Sequence, residues 1–230
     1  MNTKPRPIRP DDFQIMSQIP GIACIARDQD LRMFWCTDEF FRVPGVVDST
    51  TDMLGTKLSE VLPPSAAQER EAVQQQVIDT GIPTSHYQLS SDSRVLCTIM
   101  PLDEHAFGHK GVFAMMKDAR MDPRTEPQKR LPVLKTPVFG ILDTLSSREL
   151  EVLHHVAVGL TTHDIAEKIC RADKTIEHHV NSIHGKLNTH SRAQLVRYAS
   201  ERGLQFFTDE EWSTIVQGAK DMRNETIATR

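Results

Sequence analysis

The 230-residue chain has no run of about 18 consecutive apolar residues, so no membrane-spanning helix is expected. Its start, "MNTKPRPIRPDD", lacks the apolar middle of a secretion signal, which makes the cytoplasm the expected location. Cysteine is sparse: Cys24, Cys36, Cys97 and Cys170 lie far apart with no C-x-x-C pair, arguing against a disulfide framework and against a cysteine zinc site. There is no glycine-rich phosphate loop, no Gly-x-Ser-x-Gly and no His-Glu-x-x-His, so an enzyme is not expected. No internal repeat is visible.

What is present is an ordinary globular composition with 39% hydrophobic residues, enough for one or two compact domains. Four prolines, Pro123, Pro127, Pro132 and Pro137, crowd into "MDPRTEPQKRLPVLKTPVFG" and forbid a continuous helix or a central strand there. Residues 121–140 therefore read as a linker. They are locally cationic, with four basic and two acidic residues, whereas residues 1–120 carry twelve basic and sixteen acidic.

Four helix signals follow. In "LSSRELEVLHHVAVG", Ser146 is placed to cap, Glu149 to answer it as a capping box, Leu145 and Leu150 to form a hydrophobic staple, and Gly159 to end the helix. In "TTHDIAEKI", Thr161 and Asp164 repeat the box, and Ile165, Ala166 and Ile169 make an apolar stripe. "CRAD" is a short connection to "DKTIEHHVNSIHGKL", and "SRAQLVRYASERG" closes the set with Gly203 at its end. Two short helices joined by about four residues, the second amphipathic, have the form of a helix-turn-helix.

Within "DKTIEHHVNSIHGKL", Ile176, Val180, Ile183 and Leu187 share one face and predict its buried side. Lys174, His178, Asn181, Ser182 and Gly185 point the other way, with Glu177 on one shoulder and His179 and His184 on the flanks. Three histidines in one helix invite a zinc reading, but no two have the i, i+4 spacing that a helical zinc pair needs, and no metal is expected. For His179 the residues alone leave two readings open, a half-buried imidazole bonded to backbone or phosphate and a base contact. His178 is the outward one, either a solvated position or a contact to nucleic acid.

The run "LSSRE", "VGLTTHDIAEKI", "KTIEHHV" and "IHGKL" followed by Arg192 resembles the LuxR-type helix-turn-helix over about Leu145 to Leu204. The resemblance implies a DNA-binding homodimer with the third helix in the major groove of double-stranded DNA. It implies Glu177, His178 and Asn181 as base-facing residues, and Thr162, His163, Lys174, Thr175, His179 and Lys186 on the phosphate side, Lys186 contributing charge alone. Arg171 stands where the family has an aliphatic residue, and Ala172 replaces a small polar cap, so Asp173 is expected to cap instead. Residues 140–205 hold eight basic and eight acidic residues, unusual for a DNA-binding domain, and seven of the ten histidines. Beyond them, residues 206–230 contain "DEEWSTIVQGAKDMR", in which Trp212, Ile215, Val216, Ala219 and Met222 form a stripe that could dimerise or pack on its own domain.

The front half predicts two short strands around "RDQD", a helical patch ending at Pro44-Gly45, and a helix with Ala72, Val73, Val77 and Ile78 on its stripe. Three antiparallel strands follow, "TSHYQLS", "SRVLCTIMPL" and "GVFAMMKDA". The expected class is α+β, followed by an all-α four-helix domain. "IPGIACIARDQDLRMFW", "MLGTKLSEVLP", "VIDTGIP" and "GHKGVFAMMKDAR" resemble a PAS domain over residues 13–120. That resemblance implies signal sensing or dimerisation and a small-molecule ligand, with Phe34, Trp35, Met53, Met100 and Met115 as lining or as plain core. A flavin adduct is disfavoured because the Asn-Cys-Arg-Phe context is absent, and haem because the long helix has no histidine. His86, His105 and His109 are expected near strand ends, at loops or surfaces. The competing readings are a phosphoacceptor receiver domain, whose candidates Asp11, Asp12, Asp52 and Lys110 do not follow buried strands, and a protein-interaction module that has lost DNA binding.

Overall fold

The computed structural model describes residues 10–37, 53–120 and 131–228, and the chain divides into two compact units. The first comprises Met1–Gln88 with Val95–Asp118; the second comprises Leu89–Arg94 with Ala119–Arg230. The expected patch ending at Pro44-Gly45 lies outside the described residues, as do residues 121–130 of the expected linker.

In the first unit, strands β1 (Ile22–Asp28) and β2 (Met33–Cys36) precede helix α1 (Pro64–Thr80). Strands β3 (Thr84–Ser90) and β4 (Ser93–Leu102), the single helical turn α2 (Glu104–Phe107) and strand β5 (Gly111–Asp118) follow. The sheet order is β2-β1-β5-β4-β3, with β1 antiparallel to β2 and β5, and β5 antiparallel to β4. An antiparallel α+β sheet overturns the receiver reading, whose phosphoacceptor sits at the ends of buried parallel strands.

Pairing of Cys24 with Met115, Ile25 with Ala114 and Ala26 with Phe113 assigns the side chains to alternate faces. Ala23, Ile25, Met33, Cys97, Ile99, Val112 and Ala114 pack with Met53 and with Val77 of α1. Cys24, Ala26, Trp35, Leu102 and Phe113 form the second cluster, closed by Phe13, whose ring stacks on Phe113 and Phe107 at centroid distances of 5.3 and 5.5 Å. Both faces are covered, which is why β1 reads as a nearly continuous apolar run.

Two expectations for this unit need correction. Ala72 is exposed, and the buried side of α1 carries Ala66, Ala67, Arg70, Gln74 and Val77, with Val73 and Ile78 half-buried. The long stems of Arg70 and Gln74 cover apolar surface that a stripe drawn from apolar residues alone passes over. His86, expected at a surface, is 3% exposed within β3, whereas His105 and His109 are exposed as expected. A polar residue inside a strand takes its burial from the face it occupies, and β3 turns His86 inward.

The second unit is helical: α3 (Ser147–Ala157), α4 (Thr162–Lys168), α5 (Asp173–Leu187), α6 (Arg192–Ser200) and α7 (Asp209–Ala228). Its core gathers Leu142, Leu145, Leu150, Leu153, Val156, Ile165, Ile176, Ile183, Leu195 and Phe207. Of the expected linker, Leu134 is buried, and Val133 and Phe139 pack against that core. Asp92 accepts from the N–H groups of Gly140 and Leu142 at 2.8 and 3.2 Å, satisfying donors at the start of the turn that leads into α3.

Helix α7 is started by a capping box, Thr208 N–H donating to Glu211 and Glu211 N–H donating to Thr208 Oγ1. Its stripe packs within its own unit: Trp212, Ile215 and Ala219 are buried, Val216 is half-buried against the core, and Trp212 Nε1 donates to the Leu150 carbonyl at 2.9 Å. This leaves the α7 stripe unavailable as a dimer surface.

Gly218 lies inside α7 where alanine would ordinarily gain about 1 kcal/mol. Here an added Cβ would sit 2.1 Å from the Lys135 carbonyl oxygen, a backbone atom that cannot step aside cheaply. We expect Gly218→Ala to cost about 1–3 kcal/mol, read as a lower urea midpoint by Trp212 fluorescence. A raised midpoint would show that Lys135 is not held against α7.

Candidate nucleic-acid interface

The interface is assembled by helix caps. Ser146 accepts from Glu149 N–H and Glu149 returns a bond to Ser146 N–H at 2.7 Å, the full capping box, and Thr161 with Asp164 forms a second at α4. Gly159, at φ 91°, occupies the left-handed region beyond the end of α3. Between α4 and α5, Cys170 adopts φ 52° and the Arg171 N–H bonds to the Ala166 carbonyl at 2.9 Å, closing the turn. Arg192 donates to the Leu160 carbonyl from α6.

Helix α5 begins without a side-chain cap: Ala172 is the cap residue and Asp173 is already helical, correcting the expected Asp173 cap. Asp173 instead places its charge in the first turn, favourable to the helix dipole, and faces His163 Nδ1 at 3.3 Å. His163 Nε2 is 3.4 Å from Glu167 on its other side.

The inward side of α5 is as expected, with Ile176, Ile183 and Leu187 buried and Val180 half-buried. Ser182 is not part of the outward face. It donates to Glu149 Oε1 at 2.6 Å, and Lys186 donates to Glu149 Oε2 at 2.7 Å. A helical wheel gives angles about one axis and carries no information on α3, which brings the Glu149 carboxylate to meet both residues. Burial works against the charge on Glu149, yet Lys186, Ser182 and the bonds to Ser146 outweigh it and hold the carboxyl down to about 2.

Outward, Glu177, His178 and Asn181 are exposed, as are Lys174 and His163, while Thr162, Thr175 and His179 are half-exposed. The structure thus brings Glu177, His178 and Asn181, the three expected to face bases, together on one surface of α5. It sets Thr162 and His163 on the neighbouring α4, and it engages Lys186 within the domain. Glu149 is the residue that sequence reasoning placed only in a cap; its buried anchoring of α5 had no local signal.

Of the residues named for the sheet domain, Phe34, Trp35, Met100 and Met115 belong to one cluster and Met53 to the other. Other groups stand out there. Among the described residues, Gln74 Oε1, both ring nitrogens of His86 and Arg27 Nε and Nη2 are buried without a well-formed hydrogen bond. Burial pushes the His86 imidazole down to about 4, with Gln88 offsetting it in part.

Five helices around one core, with a short turn setting α5 outward beside α4, define a helix-turn-helix domain. Residues 143–199, within the second unit, match the family of bacterial regulatory proteins, luxR family, and form a helix-turn-helix domain of that family. The chain is 40% identical over 55 residues to the Fimbriae Z protein of Escherichia coli strain K12, covering 24% of this chain and 26% of that one. It is 46% identical over 63 residues to the Oxygen regulatory protein NreC of Staphylococcus epidermidis, covering 27% and 29%. The chain thus spans under a third of the length of these relatives.

Among solved structures, the VqmA–ligand–DNA complex of Vibrio cholera aligns over 90% of this chain and 93% of that one at 18% identity and a TM-score of 0.47. The VqmA dimer of Vibrio cholerae without target DNA aligns at 18% identity and a TM-score of 0.43, with the same coverage. At those scores no residue is carried over.

Breaking the Glu149 anchor has a sign that can be worked out. A carboxyl held at about 2 when folded, against an ordinary 4.5, contributes stability that is complete above pH 4.5 and lost as the pH falls toward 2. Glu149→Gln should cost about 2 kcal/mol at neutral pH, and the wild-type and variant stabilities should converge across that window. Denaturant unfolding at stepped pH, read at Trp212, checks this; parallel curves would contradict it.

Proposed function

We propose that the chain is a DNA-binding transcriptional regulator in which α5 enters the major groove with Glu177, His178 and Asn181 toward base edges. Thr162, His163, Lys174, Thr175 and His179 lie toward phosphate. The observation that carries this reading is the division of α5. Its apolar side, Ser182 and Lys186 are all engaged inward, while Glu177 and Asn181 are exposed and make no hydrogen bond among the described residues. A surface helix with one side fixed and the other polar and unsatisfied suits base readout.

The chemistry of the outward face is specific. A carboxylate at Glu177 is repelled by phosphate but accepts from cytosine N4, and Asn181 can pair bidentately with adenine. One such domain buries only ~600–1,000 Å² on DNA, so two copies on half-sites about one turn apart account for tight binding. The α7 stripe is buried within its own unit, so the dimer contact lies elsewhere. The balanced charge of residues 140–205 implies weak affinity for random DNA.

For the sheet domain we infer a sensor of a small polar molecule. Support comes from the unsatisfied buried atoms of Gln74, His86 and Arg27, since such groups cost about 1–3 kcal/mol each unless water or a ligand meets them. The aromatic and methionine residues are divided between the two clusters, Phe34, Trp35, Met100 and Met115 in one and Met53 in the other, and serve as core. Native mass spectrometry of freshly purified protein should show a retained small-molecule adduct that Gln74→Leu releases; an adduct unchanged by that variant would move the ligand elsewhere.

Selection from a random DNA library tests the interface. Glu177→Gln should alter preference at one position per half-site, and Asn181→Ala at another, each by ~1–3 kcal/mol of discrimination. If both variants return the wild-type motif, these residues belong to a solvated face and base readout is wrong.

A further inference from the structure

Away from the α5 face, two consecutive residues of α3 and the first residue of α7 converge. His154 and His155 are 1% and 5% exposed, and both aim Nδ1 at the same oxygen, Asp209 Oδ1, at 3.7 and 3.9 Å. One donor atom from each residue lies within 4.8 Å of the others.

The tautomer of His154 follows from its far side. Its Nε2 lies 3.1 Å from the Phe207 carbonyl, which can only accept, so Nε2 carries the hydrogen and Nδ1 presents a lone pair to Asp209. A metal-binding imidazole is commonly held this way, its second nitrogen donating to a backbone carbonyl. His155 Nδ1 is buried without a hydrogen-bond partner. The other Asp209 oxygen is taken by Lys168 Nζ at 2.6 Å, which turns Oδ1 toward the two rings.

The His154 lone pair and the carboxylate oxygen repel one another, and a cation held between them and His155 Nδ1 would draw all three together. Three ligands at 2.0–2.1 Å from a tetrahedral zinc stand roughly 3.3–3.5 Å apart, and the two histidine-to-aspartate separations of 3.7 and 3.9 Å lie within a few tenths of an ångström of that. A cavity of about 570 Å³ opens beside the three residues, lined also by Ser147, Glu151 and Ser213, and leaves room for a water or Glu151 as a fourth ligand. Two imidazoles and one carboxylate are a borderline donor set, suited to zinc and its neighbours rather than to calcium or magnesium.

We propose that His154 Nδ1, His155 Nδ1 and Asp209 Oδ1 form a site for a zinc-class divalent cation that fastens the start of α7 to α3. The i, i+4 search in the sequence could not find it, because its ligands are adjacent on one helix and more than fifty residues from the third. His154 is further fixed by stacking on Trp212, at a centroid distance of 5.2 Å and 13° between planes, so occupancy has an optical reporter.

The test uses the full chain, stripped with a chelator, dialysed and titrated with cobalt(II), with zinc then displacing it. One equivalent should bind, giving tetrahedral ligand-field bands and quenching Trp212, and should raise the thermal midpoint. Asp209→Asn, at a half-exposed position that folding tolerates, should weaken binding at least tenfold, and His155→Gln likewise. The double variant His178→Gln with His179→Gln should bind as wild type. Wild-type affinity in Asp209→Asn, loss of binding in the His178 and His179 variant, or no uptake by the folded chain would each overturn the proposal.

Discussion

The orientation of α5 depends on one buried carboxylate. Glu149 closes the capping box that starts α3, and the same two oxygens receive Ser182 and Lys186 from α5. A single side chain thus accepts from the Ser146 N–H at the start of one helix and fixes the rotation of another about its axis. The apolar contacts of Ile176, Ile183 and Leu187 set the distance between the helices, but hydrophobic contact is not directional. The ionic hydrogen bonds supply the direction, and they decide that Glu177 and Asn181, rather than Ser182, face outward.

How much of this was legible follows from the range of each interaction. Both capping boxes span three residues and were readable, as were the apolar side of α5, the strand set and its antiparallel order. Partners distant in the chain were not. The amphipathic stripe of α7 left open whether Trp212 and Ile215 would meet a second copy or their own domain, because Leu150, the partner of Trp212, is distant in the chain. Ser182 fell on the outward side of a wheel drawn for one helix because Glu149, thirty-three residues away, is absent from that drawing. His86 read as a loop residue by its polarity, yet the strand it occupies turns it inward.

Both units bury polar groups. In the helical domain Glu149, His154 and Asp92 are each met by defined partners, although His155 Nδ1 and the Tyr198 hydroxyl have no well-formed hydrogen bond among the described residues. In the sheet domain Gln74, His86 and Arg27 likewise keep buried atoms without a well-formed hydrogen bond among the described residues. An interior that leaves donors and acceptors waiting is less stable than an apolar one of the same shape, and it gains from a bound polar molecule by mass action.

Lys186 braces α5 against Glu149 inside the domain, and in the proposed function cations such as Lys174 meet phosphate. The slope of log affinity against log salt, measured on one DNA site for folded wild type, Lys174→Met and Lys186→Met, separates the two roles. Lys174→Met should flatten the slope by about one for each copy bound, while Lys186→Met leaves the slope unchanged and lowers the unfolding midpoint. A flattened slope with an unchanged midpoint in Lys186→Met would contradict the bracing role.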